Sequence, residues 1–152
     1  MAVRSSLPDS ARRLLGLDLG DRRIGVAVSD PTGLLATPLE VYTRRGGRED
    51  VEYIASLARE YEVAGVVVGL PVNMNGSEGP QAAKTRNMAE QIAGQGLDIV
   101  MWDERLSTVE AERRMIEGKR RKRRGVVQRR DAEAAAIILE SYLDYLRSRA
   151  RV

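Results

Sequence analysis

The 152-residue chain contains no histidine and no cysteine. Its reactive inventory is therefore limited to carboxylates, hydroxyls, Lys, Arg and Tyr. Disulfides, thiolate zinc sites, cysteine nucleophiles and Ser-His-Asp catalysis are excluded. A bound metal would need oxygen ligands, which points to Mg²⁺ or Mn²⁺. Acids at three places stand out. Asp18 interrupts the apolar run LLGLDLG (14–20) and, by the two-residue period of a strand, shares a face with Gly16 and Gly20. Asp103 and Glu104 follow at once on the apolar IVMW (99–102), and Asp131 heads DAEAAAIIL. A buried unpaired carboxylate is costly, so Asp18 needs either a cation or donors such as the amides of the turn at Gly20 and Asp21. Adjacent residues on a strand face opposite sides, so only one of Asp103 and Glu104 can join Asp18, and the spacing does not say which. Asp131 reads either as a helix N-cap or, by its spacing to Ala135, Ile138 and Tyr142, as an acid aimed at a sheet. Converging carboxylates without histidine suit divalent-metal hydrolysis of phosphodiesters, in which the ions activate water and neutralise developing charge.

The charge distribution points to the same substrate class. Net charge is +3, yet Lys119, Arg120, Arg121, Lys122, Arg123 and Arg124 alone contribute six positive charges, leaving 3 − 6 = −3 for the rest. A near-neutral body with one concentrated basic run is the pattern of a local polyanion contact, although a solvated basic loop would look alike. One Trp, five Tyr and no Phe argue against a base-stacking platform and for recognition of backbone and shape.

These residues need a scaffold. LLGLDLG and RIGVAVSD (23–30) read as a hairpin, LLATPLEVYT (34–43) as a third strand in which Pro38 marks an edge or bulge, and AGVVVGL (64–70) as a strand buried on both faces. Helical spacing predicts helices from Arg48 to Tyr61, from a cap at Ser77 to about Ile92, from an S-x-x-E box at Ser107 and Glu110 to about Glu117, and over 131–148. A fifth strand starts at about Asp98. The order β-β-β-α-β-α-β-α-α implies a five-stranded mixed sheet with helices on its faces. Residues 1–12 are expected to be a flexible segment, 13–148 a single α/β domain, and 118–130 a mobile basic loop. No window approaches a signal peptide or a membrane span, so a cytoplasmic location with no membrane partner is expected.

GLDLGDRRIGVAVSD, GLPVNMNGSEG, DERLST and DAEAAAIIL, in that order and spacing, resemble the YqgF/RuvX family of RNase H-fold proteins, described as Holliday-junction resolvases and as pre-16S rRNA nucleases. The resemblance covers residues 14 to 146. It implies an RNase H-like fold, a metal-dependent endonuclease, and Asp18, Glu104 and Asp131 as catalytic and metal-holding acids, favouring Glu104 over Asp103. Arg105 and Thr108 fall on its motif positions, as do Gly69, Pro71, Asn73 and Gly76. With the basic run, Arg22, Arg23, Arg105, Thr108, Arg129 and Arg130 form the expected nucleic-acid contact, and Arg129 and Arg130 favour an ionised Asp131. The expected substrates are branched DNA or precursor rRNA, and a four-way junction would call for a two-fold homodimer. The competing readings are a nucleic-acid or ribosome-precursor binding module without turnover and, because DLGDRRIGVAVSD also resembles the first phosphate loop of actin- and hexokinase-like proteins, a phosphotransferase. One 152-residue domain lacks the second lobe that the last reading requires.

Overall fold

The computed structural model describes residues 3–4, 13–107 and 126–150. In chain order the elements are β1 (Val3–Arg4), β2 (Leu14–Leu19), β3 (Arg23–Ser29), β4 (Ala36–Thr43), α1 (Gly47–Glu60), β5 (Gly65–Leu70), α2 (Pro80–Ala93), β6 (Ile99–Asp103), a 3₁₀ turn at Glu104–Ser107, and α3 (Val126–Ala150). The strands form one mixed sheet in the order β1-β6-β5-β2-β3-β4. β2, β3 and β4 are an antiparallel meander, while β5, β6 and β1 run parallel to β2. The five expected strands are present, and the pairing of Val3 and Arg4 with Ile99 and Val100 adds a short sixth. Two residues carry no periodic signal, which is why composition alone gave no strand there. Pro38 does sit on the edge strand β4, opposite a register shift between Val26 and Ala27.

The two faces of β2 have different tasks. Leu15, Leu17 and Leu19 pack with Ile54 and Leu57 of α1 and with Met88 and Ile92 of α2. Leu14 joins the other core, made with Ala135, Ile138, Leu139 and Tyr142 of α3. Gly16 lies on that second face, since a side-chain carbon there would meet Leu139 Cβ at 2.8 Å and the Ala135 carbonyl at 2.9 Å. Asp18, two residues on, faces the same way. A one-residue slip of β2 would strip Leu15, Leu17 and Leu19 from their helices at roughly 1.5–3 kcal/mol each, so the core fixes which way Asp18 points.

Two local expectations are revised. α2 begins at Pro80 with Gly79 as its cap and no side-chain capping bond, so Ser77 is not the cap. Proline is preorganised for the first helical turn, and that was the stronger start signal. α3 begins at Val126, so Asp131 lies well inside the helix and does not cap it. After β6 the chain makes a 3₁₀ turn, with the Ser107 hydroxyl donating to the Glu104 carbonyl at 2.8 Å. Glu110, the helix predicted to about Glu117, Thr108 and the run 119–124 lie outside the described residues, as does most of the segment 1–12. Among the described residues no helix is long and apolar enough to cross a membrane.

Candidate active site

The acids meet at the end of the sheet where β2, β5 and β6 finish, the edge at which parallel α/β sheets place their ligands. Asp18 pairs across the ladder with Gly25 on β3. On its other side Leu17 pairs with Val68, which brings Gly69 alongside. Both glycines create room on the α3 face. A side-chain carbon at Gly25 would lie 1.9 Å from the Asp131 carbonyl oxygen, so the helix backbone rests directly on that strand. A side-chain carbon at Gly69 would lie 2.9 Å from Glu104 Oε1 and 2.5 Å from Ile138 Cδ1. Asp18 is thus flanked by one glycine under Asp131 and another under Glu104.

The end of β6 is anchored to α3 by Trp102. Its indole N–H donates to the Ser141 hydroxyl at 3.0 Å, and its ring packs edge-on against Tyr142 at 5.2 Å between centroids. Asp103 points to the other side and takes Arg105: Oδ1 accepts the Arg105 backbone N–H at 2.9 Å, and the guanidinium forks onto the carboxylate at 2.7–3.1 Å. That contact holds the Asp103 carboxyl below the usual carboxylate range. By closing the 3₁₀ turn, Asp103 determines the backbone path from which Glu104 leaves toward Asp18.

Electrostatics reflect the crowding. Burial pushes the Asp18 carboxyl up to about 6, with the charge of Asp131 adding to the effect. Burial also pushes Glu104 up to about 7, with Asp18 and then Asp103 contributing. Asp18 is therefore coupled to both other acids. The Gly20 amide donates to the Arg23 carbonyl at 2.9 Å, so it does not serve Asp18. Among the described residues no ion pair is formed by Asp18 or Glu104, whereas Asp131 Oδ2 lies 3.2 Å from Arg23 Nε. Also among the described residues, no three acids are placed as they stand to hold a metal ion. Like charges spread apart when Arg23 offers one of them a partner.

The donor set nonetheless fits a hard cation. Asp18 and Glu104 are partly buried oxygen donors, each driven toward neutrality by burial and then by a neighbouring acid (Asp131 for Asp18, Asp18 for Glu104), and a divalent ion would relieve these penalties. Of the expected nucleic-acid contacts, Arg22 is exposed on the β2–β3 turn, Arg23 holds Asp131, and Arg105 holds Asp103 while its Nη1 donates to the Met74 carbonyl at 3.5 Å. Arg129 and Arg130 belong to the first turns of α3, and their side chains lie outside the described ones.

Sequence reasoning missed Asp50. It stands in the first turn of α1 and is fully buried. It accepts from the Tyr42 hydroxyl, Arg44 Nε and the Arg45 amide at 2.9 Å, and from the Gly46 amide at 3.3 Å. Burial alone would raise its carboxyl, but these donors hold it below the usual range. Arg44 in turn donates to the Gly20 carbonyl at 3.1 Å, tying α1 to the turn that follows Asp18. An acid in the first turn of a helix that opens at a Gly-Gly pair was the available signal, because it can reach back to amides ahead of the helix.

The family model described as RuvX, Holliday junction resolvase, matches residues 12–145. Among curated relatives, a protein of Halothermothrix orenii named "Putative pre-16S rRNA nuclease" is 51% identical over 137 residues, 88% of this chain and 95% of its own. A protein of the same name from Clostridioides difficile is 46% identical over 136 residues, 88% of this chain and 94% of its own. In structure the chain resembles T. thermophilus RuvC in complex with a Holliday junction substrate, with a TM-score of 0.61 at 13% identity, covering 93% of this chain and 97% of that one. It also resembles the large terminase nuclease of the thermophilic phage G20c, with a TM-score of 0.56 at 15% identity, covering 91% and 86%. At such identities the two structures speak for the fold alone, which is the RNase H-like one.

Proposed function

The chain belongs to the RuvX family, and from that premise we propose that it is an endonuclease that hydrolyses phosphodiester bonds in structured nucleic acid, with precursor 16S rRNA as the favoured substrate. The observation that carries the chemistry is the pair of carboxylates, Asp18 on β2 and Glu104 over the neighbouring Gly69, with raised proton affinities and with no cation paired to either among the described residues. The names of relatives near 50% identity favour the rRNA substrate, and the family model's description supports a second reading, a four-way DNA junction.

Asp18, Glu104 and Asp131 would hold Mg²⁺ or Mn²⁺. When bound, such an ion supplies an activated water and neutralises charge developing on the phosphate. The chain's own residues do the rest. Partial burial lowers the dielectric around Asp18 and Glu104, which strengthens their hold on a cation. Without an ion, burial and then the charge of Asp18 push Glu104 up to about 7, so binding a cation there would release the proton that the carboxyl group otherwise retains. Arg23, shared with Asp131, and the partly exposed Arg105 offer guanidinium groups to phosphate oxygens at either side of the acids.

The test is cleavage of a precursor-like 16S rRNA fragment and of a four-way DNA junction in Mg²⁺ or Mn²⁺, by the wild type and by Asp18→Asn and Glu104→Gln. Each substitution is expected to slow cleavage by about 100-fold or more. A wild type that cuts both substrates no faster than either variant overturns the enzyme reading and leaves a binding module.

A further inference from the structure

Met74 and Leu106 are two of five large apolar side chains exposed among the described residues, at 89% and 63%. Both adjoin Arg105, the residue that follows Glu104 in the chain. Leu106 lies two residues after Glu104 in the same 3₁₀ turn, and the Met74 carbonyl accepts from Arg105, between them, at 3.5 Å. The others lie elsewhere: Leu34 and Leu35 are at the β3–β4 turn, at the opposite end of the sheet, and Tyr145 packs on Trp102.

Met74 is displayed by a braced loop. The Asn73 amide donates to the Ser77 carbonyl at 2.9 Å, the Gly76 amide to the Asn73 carbonyl at 2.8 Å, the Asn73 side chain to the Ser77 hydroxyl at 3.0 Å, and the Ser77 hydroxyl to Asn75 Oδ1 at 2.6 Å. The role of GLPVNMNG and the misplaced cap at Ser77 both find an explanation here: Ser77 closes the loop that presents Met74. A lone exposed apolar residue needs no explanation, but two flanking an arginine that directly follows a proposed catalytic acid form a surface with a definite complement.

We propose that Met74 and Leu106 receive a nucleobase unstacked beside the scissile phosphate. Apolar side chains of this size act on nucleic acid as wedges that unstack one base step, and methionine's flexible, polarizable thioether adapts to any base face. A nucleotide whose phosphate meets Arg105 carries its base onto the two side chains, so the pair selects branched or frayed structure, where unstacking costs least, over uniform duplex. The inference rests on the nuclease reading and deepens it.

The experiment places 2-aminopurine, whose emission rises on unstacking, on either side of the cleavage position mapped with wild-type protein. Binding is followed with Ca²⁺ in place of Mg²⁺, and cleavage in Mg²⁺. Wild type and Leu34→Ala are expected to give a severalfold rise in emission. Met74→Ser should lose more than half of that rise and slow cleavage at saturating protein by about tenfold, with the salt dependence of binding unchanged. Met74→Leu should restore both. Because Met74 is almost fully exposed, the serine variant should fold normally. Equal emission and cleavage for Met74→Ser and wild type, or equal losses in Met74→Ser and Met74→Leu, would overturn the proposal while leaving the nuclease reading intact. A wild type that neither binds nor cuts the substrates would remove both.

Discussion

Gly25→Ala tests whether the closeness of α3 to the sheet is what brings Asp131 to the site. The new methyl carbon would lie 1.9 Å from the Asp131 carbonyl oxygen, 2.4 Å from its carbon and 3.0 Å from the Ala132 nitrogen. All three are backbone atoms of a helix whose Ala132, Ala135 and Leu139 are buried, so no rotamer change can relieve the clash. Reaching the 3.4 Å of ordinary contact requires the helix to lift by about 1.5 Å at Asp131. Overpacking of this kind costs about 1–3 kcal/mol, and backbone contact places this case at the upper end. A displacement of about 1 Å at a reacting centre costs about 100-fold in rate, so cleavage should fall by that much or more even where the protein remains folded. Urea unfolding followed by circular dichroism gives the first quantity, and cleavage at saturating metal and substrate gives the second. A variant within about 0.5 kcal/mol of wild type, cutting at the wild-type rate, would refute the claim that the Gly25 gap positions Asp131.

Three further outcomes follow from the same geometry. Asp18 and Glu104 are raised to about 6 and about 7, so their contribution to stability is fully present below their unfolded values and is lost as pH rises through the folded ones. In chelator, wild type should therefore lose stability between about pH 4 and pH 7 relative to Asp18→Asn, by about 1–3 kcal/mol, and added Mg²⁺ should close the gap; parallel thermal melts of the two proteins across that range check it. Asp50→Asn removes a fully buried carboxylate from Arg44, Tyr42 and two amides, and should cost about 3–5 kcal/mol in urea unfolding. The wild type's advantage over that variant should shrink as pH falls toward the depressed carboxyl value of Asp50, because a lowered folded pKa gives stability that acid removes. Arg105→Lys cannot reproduce the fork onto Asp103 while also reaching the Met74 carbonyl, so its cleavage rate should approach that of Arg105→Ala; recovery of wild-type cleavage by lysine would show that charge alone suffices.

Much of this was legible in the chain itself. The absence of histidine and cysteine restricts the chemistry to oxygen donors, and no fold can change that. The two-residue alternation of LLGLDLG and the β-branched GVVVGL specify strands whose apolar sets lock the register, so the face that Asp18 occupies is already implied. The spacing of Asp131 to Ala135, Ile138 and Tyr142 likewise points the acid at the sheet, whichever residue starts the helix. Other features are settled only in three dimensions. Asp103 and Glu104 are neighbours with the same chemistry, and what separates them is the bidentate capture of Arg105 by one, which turns the other over Gly69. Asp50 is a charged residue in the first turn of α1 and can be buried only because donors from β4 and the preceding loop converge on it. Gly25 and Gly69 look like ordinary strand glycines until a helix backbone and a carboxylate are found resting on them. Local periodicity determines which way a side chain faces, but what it meets there depends on residues far apart in the chain, whose approach is decided by packing.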